Sequence, residues 1–320
     1  MPVLVLDLYS RCNCRCVMCD IWKRDSSGEL PLGLLERNRD ALRELKVQWV
    51  VLSGGEPLMH SQFVALCRFL RQEGIRITLL TAGVSLAKRA RDVAYNVDDV
   101  IVSLDGPRAV HDSIRGVRSA YDLLAAGIVN LLSLRPELKI TARTTVQKLN
   151  HNVLCDTVDA ALELDLSGIS FLAADVSSSA FNREQAWPVE RIEGVGLSKS
   201  DVRALEAEIE AVIDRFAREI QSGYIAESAM KLRRIAAHFR AQIGEEQPVA
   251  PLCNAPWVSA VLSHDGSVRP CFFHSPIGNI HQESLERVVN GQDALAFRAA
   301  LNVADNETCR RCVCSLRYGK

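Results

Sequence analysis

The chain has 320 residues, and its 38 Lys and Arg against 39 Asp and Glu leave a formal net charge of -1, which excludes the basic excess of a duplex-binding protein. With 48% apolar and 24% charged residues the chain can build a large core, so global disorder is excluded and one large α/β unit or two smaller domains are expected. No apolar run approaches the ~18 residues of a membrane span, and residues 1–7 are too short and too uncharged for a signal peptide. A cytoplasmic protein with no membrane or nucleic-acid partner is expected.

Eleven cysteines then need a reason, because thiols stay reduced in the cytosol and clustered Cys there reads as metal binding or catalysis. In chain order, residues 3–8 form a short apolar run, read as a buried strand, followed at once by the first cysteines. Similar runs recur at 47–53, 75–81, 100–103, 139–146 and 168–173. Between them lie helical stripes such as Phe63, Leu66 and Leu70, closed by Gly74, and Leu154, Val158, Ala161 and Leu162. Strands alternating with helices predict parallel βα units with right-handed crossovers. The alternation stops in an irregular connection over 177–200. A long helix follows through Val202, Leu205, Ile209, Val212, Phe216 and Ile220, opened by a Ser198 to Asp201 capping pattern, and a second runs from about Glu227 to Ile243. Pro248 and Pro251 mark entry to a last segment holding five of the cysteines. The expected domains are residues 1–185, a helical connection over 186–250 and a C-terminal domain over 251–320.

Cys12, Cys16 and Cys19 form CxxxCxxC directly after the first strand. Three thiolates on one loop can hold three corners of a cubic iron-sulfur cluster and leave the fourth iron open; a structural zinc site using Cys14 as well is the alternative on spacing alone. At the end of the second strand stands Ser53-Gly54-Gly55-Glu56-Pro57, where glycines allow close backbone approach and a carboxylate can receive a cationic amine. At the end of the fourth comes Ser103-Leu104-Asp105-Gly106-Pro107, then His111 and Arg115-Gly116. Each unusual stretch falls at the carboxyl end of a strand, where α/β barrels and sheets bind ligands.

These motifs, in this order and at this spacing, resemble the radical S-adenosylmethionine enzymes over about residues 3–174. The resemblance implies a partial (β/α)6 TIM-like barrel in which Cys12, Cys16 and Cys19 ligate a 4Fe-4S cluster, whose open iron chelates the amino and carboxylate groups of S-adenosylmethionine. Reductive cleavage of that cofactor gives a 5'-deoxyadenosyl radical that abstracts hydrogen, while the protein aims and shields it. It further implies that Gly54, Gly55, Glu56 and Pro57 position the methionyl ammonium, that Ser103 touches the ribose and that Arg143 meets the methionyl carboxylate. Otherwise Ser103 only ends a strand and Arg143 is a barrel-wall charge beside an acidic neighbour. Where many relatives have Thr-Asn-Gly after the third strand, this chain has Thr81-Ala82-Gly83, so any binding role of that Asn is absent.

Late in the chain, Cys253, Gly266 and Cys271 have the spacing Cys-x12-Gly-x4-Cys, followed by Gly278-Asn279-Ile280, a helical stretch over 285–289 and Cys309-x2-Cys312-x-Cys314. On spacing alone a zinc ribbon is the alternative. The pattern resembles the auxiliary-cluster extension of the same enzymes in its twitch form, a shortened SPASM domain, because the chain ends too soon after Cys312 for further ligands. It implies a second 4Fe-4S cluster on Cys253, Cys271, Cys309 and Cys312, with Cys314 as an alternative fourth ligand. Full ligation would make it an electron-transfer centre, whereas three ligands would leave an iron free for substrate.

Cys67 and Cys155 sit in helical stripes and are read as inert buried thiols; Cys14 is expected beside the cluster or at the surface, and His274 near the auxiliary cluster or at the surface. Asp175, Asn182 and Arg183 follow the sixth strand and are candidate substrate contacts, with Tyr9 and Glu227 as weaker ones. The leading expectation is an oxidoreductase- or lyase-type biosynthetic enzyme acting on a small metabolite such as a sugar, nucleoside or antibiotic intermediate, fed by an external donor such as flavodoxin or ferredoxin. The alternatives are a maturase that modifies a ribosomally made peptide and a non-catalytic iron-sulfur carrier. Because the first strand begins at about Val3, no leader-binding domain is expected, and that favours the small substrate.

Overall fold

The computed structural model describes residues 1–24, 27–178, 180–183 and 187–319; the expected boundary between 185 and 186 lies outside the described residues. All six apolar runs are strands: β1 (Val3–Tyr9), β2 (Trp49–Gly54), β3 (Arg76–Thr81), β4 (Asp99–Ser103), β5 (Lys139–Val146) and β6 (Ile169–Ala173). Each pairs in parallel with its sequence neighbour, as a chain of βα units requires. The intervening helices are α1 (Leu32–Arg37), α2 (Arg39–Glu44), α3 (Phe63–Gln72), α4 (Leu86–Asn96), α5 (Arg108–Arg115), α6 (Ala120–Leu134) and α7 (Leu154–Glu163). Period-2 alternation divides each strand: Leu4, Leu6, Leu8, Val50 and Leu52 join Leu34, Leu35, Phe63, Leu66 and Leu70 in one core, all 0–1% exposed. Ser53, Ser103, Arg143 and Thr145 instead line a cavity at the carboxyl ends of the strands.

Beyond β6 come a short α8 (Val189–Glu193), α9 (Lys199–Arg215), α10 (Ala217–Ser222) and α11 (Ala229–Gln242). The capping box forms as the sequence predicts, with the Ser198 hydroxyl accepting from the Asp201 N–H and the Asp201 carboxylate accepting from the Ser198 N–H. The expected single long helix is two, because Phe216 leaves helical geometry at φ -112, ψ 33 with its ring buried.

The C-terminal segment departs most from expectation. Its β7 (Ser259–Leu262) adds in parallel to the free edge of β1, from Val3↔Ser259 to Leu6↔Leu262. β8 (Ser267–Arg269) and β9 (Gly278–Asn279) then continue antiparallel. One sheet in the order β6-β5-β4-β3-β2-β1-β7-β8-β9 therefore carries both cysteine regions. All four β7 residues are buried, and covering the apolar edge of β1 is the physical gain. The strands do not close into a ring: β6 and β9 end the sheet at opposite edges, so the partial barrel is open on one side. The chain finishes with α12 (Ala255–Val258), α13 (Leu285–Asn290), α14 (Gln292–Ala300) and α15 (Glu307–Arg310), and its tail returns beneath the barrel. There Asn254 exchanges hydrogen bonds with Tyr318, and the Tyr318 ring packs 6.5 Å from Trp49 at the start of β2.

Candidate active site

The loop after β1 is held as a rigid arc by its neighbours. The Arg15 and Val17 N–H groups donate to the carbonyls of Arg115 and Ile114 at 2.9 and 3.1 Å, and the Asp20 N–H donates to the Phe181 carbonyl at 3.2 Å. Gly55 and Gly116 make this possible. A Cβ on Gly55 would stand 1.9 Å from the Arg11 carbonyl oxygen, and one on Gly116, at φ +62, would stand 2.6 Å from that of Arg15. The Gly-Gly turn thus serves first to let the loop backbone lie against the end of β2, where the Glu56 N–H donates to the Arg11 carbonyl at 2.9 Å.

Cys12, Cys16 and Cys19 line one cavity of about 230 Å³ together with Ser53, Gly54, Gly55, Ser103, Arg115 and Arg143. Each sulfur receives one N–H donor: Cys14 N–H to Cys12 Sγ at 3.4 Å, Ile21 N–H to Cys19 Sγ at 3.5 Å and Arg115 Nη1 to Cys16 Sγ at 3.6 Å. A donor on every sulfur is the environment of an anionic ligand, so the trio fits the cluster that the motif implies. The Cys16 thiol is pulled down to about 7, chiefly by its hydrogen bond with Cys14 and against the cost of burial, with the Arg115 charge helping. Burial pushes Cys19 up to about 12. Cys14 is buried between Cys12 and Cys16, and its bonds to both drive its own pKa far upward. It is therefore a supporting thiol and not a surface one.

Glu56 is 0% exposed and stands outside the cavity lining. Its carboxylate accepts from the Leu58 N–H at 3.1 Å, the Thr81 hydroxyl at 2.9 Å and the Ala82 N–H at 2.9 Å. It thus ties the Gly-Gly turn to Thr81-Ala82-Gly83 and presents backbone, rather than its own charge, to the cavity. Burial raises its pKa against those donors. Ser103 and Arg143 do face the cavity, paired in register across β4 and β5. Arg143 Nε reaches Ser170 Oγ at 3.4 Å, and its charge is felt by the half-buried Glu227, which accepts from the Phe171 N–H at 2.9 Å.

Asp175, Asn182 and Arg183 are drawn to the same place and mostly consumed by structure. Arg183 is ion-paired with Asp175 at 2.9 Å, donates to the Met18 carbonyl at 3.2 Å and lies over the Trp187 ring at 4.1 Å. Asn182 accepts from Arg24 and donates to the Asp20 carbonyl. Asp175 alone of the three lines the cavity. Sequence reasoning missed Phe181, Phe272 and Val313, which also line the cavity, Phe181 and Phe272 at 5.2 Å between centroids. The positive φ of Phe181 and Asn182, +60 and +65, carries no sequence signal. Tyr9 bridges to Glu29 and lies outside that lining.

In the C-terminal segment, Cys253 Sγ accepts from the Ala255 N–H at 3.4 Å, His274 Nε2 lies 3.6 Å from Cys309 Sγ, and the Cys312 thiol donates to the Cys314 carbonyl at 2.8 Å. Burial pushes Cys271 up to about 11, with Cys309 and Cys253 adding to the rise. The pKa of Cys312 is raised by burial and by Cys314, Cys271 and Cys253, whereas Cys314 is exposed and lies within electrostatic reach of Arg143 and Cys253. Cys253, Cys271, Cys309, Cys312 and Cys314 thus lie within electrostatic reach of one another.

An open parallel barrel with three donor-bearing thiolates at its mouth, and a second cysteine cluster on the same sheet, defines an iron-sulfur enzyme of the partial-barrel class. The radical SAM superfamily model matches residues 6–148 and an iron-sulfur cluster-binding domain model matches residues 253–313, and the chain belongs to the radical SAM superfamily with a SPASM-type cluster domain. Its cofactors are those of that class, two 4Fe-4S clusters and S-adenosylmethionine. The Fe-coproporphyrin III synthase of Methanosarcina barkeri is 32% identical over 155 residues, 47% of this chain and 38% of that protein. The antilisterial bacteriocin subtilosin biosynthesis protein AlbA of Bacillus subtilis is 24% identical over 300 residues, 91% of this chain and 60% of its own length. The chain thus spans less than two thirds of these relatives. Streptococcus suis SuiB bound to its precursor peptide SuiA shares the fold at TM-score 0.66 and 14% identity, covering 99% of this chain and 72% of that one. Among the described residues no single helix is long and apolar enough to cross a membrane.

Proposed function

We propose that this chain is a cytoplasmic radical SAM enzyme that modifies a peptide, abstracting hydrogen from one residue seated in the barrel. The carrying observation is that the site is bipartite. The cavity of about 230 Å³ beside the cysteines shares Asp175 with a second, polar cavity of about 190 Å³ lined by Ser177, Ser178, Phe273, Glu307, Thr308, Arg311 and Cys312. One residue in the first and its flank along the second suits an extended chain better than a compact metabolite. The relative that aligns along most of this chain serves bacteriocin biosynthesis, and SuiB takes a precursor peptide. The small-metabolite expectation has less support than this alternative. The intact methionine-site turn argues against a mere electron carrier.

When bound, the reduced cluster and S-adenosylmethionine supply a 5'-deoxyadenosyl radical. Cys12, Cys16 and Cys19 would hold that cluster. The backbone of Gly54 and Gly55, fixed from behind by Glu56, would receive the methionyl ammonium, Arg143 its carboxylate and Ser103 the ribose. Met18, Ile101, Val102, Leu172, Phe181 and Phe272 make the cavity wall apolar and keep water from the reacting atoms. The C-terminal cysteines would hold the auxiliary cluster against the second cavity, where it can relay an electron, and an external donor such as flavodoxin or ferredoxin reduces the enzyme.

The test is to incubate the anaerobically reconstituted protein with S-adenosylmethionine and dithionite, offering a library of short synthetic peptides and, separately, coproporphyrin III. Mass spectrometry should find a peptide altered in step with 5'-deoxyadenosine release. An altered porphyrin with the peptides untouched would overturn the reading.

A further inference from the structure

The sequence sets Asp105, His111 and Arg115-Gly116 apart, and the chemistry above leaves them without a task. In the structure they form a buried polar knot beneath the cysteine loop. Arg115 is 7% exposed and Asp105 0%. One arm of the Arg115 fork donates to Cys16 Sγ at 3.6 Å and the other is ion-paired with Asp105, a double duty that the planar guanidinium allows and an ammonium does not. Asp105 is fixed in turn: its Oδ1 accepts from the Thr145 N–H at 2.9 Å, and its own N–H donates to His111 Nδ1 at 3.2 Å. The carbonyls of Ile114 and Arg115 bind the loop on either side of Cys16, so guanidinium and sulfur cannot drift apart.

Of the three sulfurs, Cys12 and Cys19 receive backbone N–H groups and Cys16 receives a full positive charge. Hydrogen bonds to the sulfurs and local net charge set the potential of an iron-sulfur cluster, because both favour the state with one more electron. In a dry site the charge is weakly screened. We propose that Arg115 tunes the reduction potential of the N-terminal cluster by holding a charged N–H on Cys16 Sγ, with Asp105 as the counter-charge that orients it and limits the upward shift. The inference goes beyond the peptide reading, since it is the same for any substrate.

The test is an EPR-monitored redox titration of the reconstituted holoprotein, following the signal that changes when S-adenosylmethionine is added, with iron content measured in parallel. Arg115→Gln should shift the midpoint to more negative potential. Asp105→Asn, which keeps the shape, the Thr145 contact and Arg115 itself, should shift it the opposite way. A purely structural role would lower iron content without moving the midpoint of the cluster that remains. If Arg115→Gln does not hold iron, the Asp105→Asn arm decides alone. An unchanged midpoint in iron-replete variants, or a negative shift in Asp105→Asn, overturns the proposal.

Discussion

The two cysteine regions lie on one sheet and are prepared to different degrees. In the loop after β1 the sulfurs of Cys12, Cys16 and Cys19 each have an N–H donor, and backbone bonds to α5 and to the segment after β6 hold the arc. In the C-terminal segment Cys253, Cys271, Cys309 and Cys312 are all partly exposed, and the Cys312 thiol donates a hydrogen bond where a ligand sulfur should accept one. The first region is held in place by backbone bonds from the barrel.

The largest test of that difference is removal of each set. Cys12, Cys16 and Cys19 changed together to Ala should leave about half the iron and abolish all cleavage of S-adenosylmethionine. The same change at Cys253, Cys271, Cys309 and Cys312 should also leave about half the iron but retain cleavage. Iron analysis with 5'-deoxyadenosine assays separates them, and loss of cleavage in both would erase the distinction. Next in size, Arg143→Ala removes a charge-assisted contact of about 1.5 to 3 kcal/mol, so S-adenosylmethionine affinity should fall roughly ten- to a hundredfold by calorimetry. Unchanged affinity would place the carboxylate elsewhere.

Gly55→Ala should cost about 1 to 3 kcal/mol in denaturant unfolding and reduce N-terminal iron loading, because its Cβ meets backbone rather than a movable side chain. The acid behaviour of His111 sharpens the picture of the N-terminal support. Burial, then the Arg115 charge, depresses its pKa to about 3 from an ordinary 6.5. Below pH 6.5 the unfolded chain therefore takes up a proton that the folded one refuses. Its contribution to stability is present above that pH and is lost toward pH 3, with a slope approaching about 1.4 kcal/mol per unit. His111→Asn, which can still accept from Asp105, should flatten this part of the pH–stability curve. The smallest effect is expected at Cys314→Ser, which should keep full iron if Cys253, Cys271, Cys309 and Cys312 complete the auxiliary site; loss of about half would make Cys314 a ligand.

Much of this was legible because it is local. The six strands, the capping box at Ser198 and the CxxxCxxC loop each follow from residue types a few positions apart, where period, caps and ligand spacing act. The break at Phe216 was not legible, since the apolar period runs through it unbroken and only packing of the ring decides. The structural partners of Glu56, Asn182 and Arg183 were not legible for a related reason. A polar side chain at a strand end looks the same in sequence whether it faces a ligand or holds another loop.

The sequence by itself determined the class of protein, the cysteine sets and the parallel barrel, because short-range periodicity and motif order encode them. Only the tertiary structure decided that β7 joins β1 in one sheet, that Glu56 turns its carboxylate away from the cavity and that Arg115 reaches Cys16. Those contacts join residues as far as 256 positions apart, Val3 and Ser259, and burial selects among many such pairings by which polar groups find partners and which apolar edges are covered.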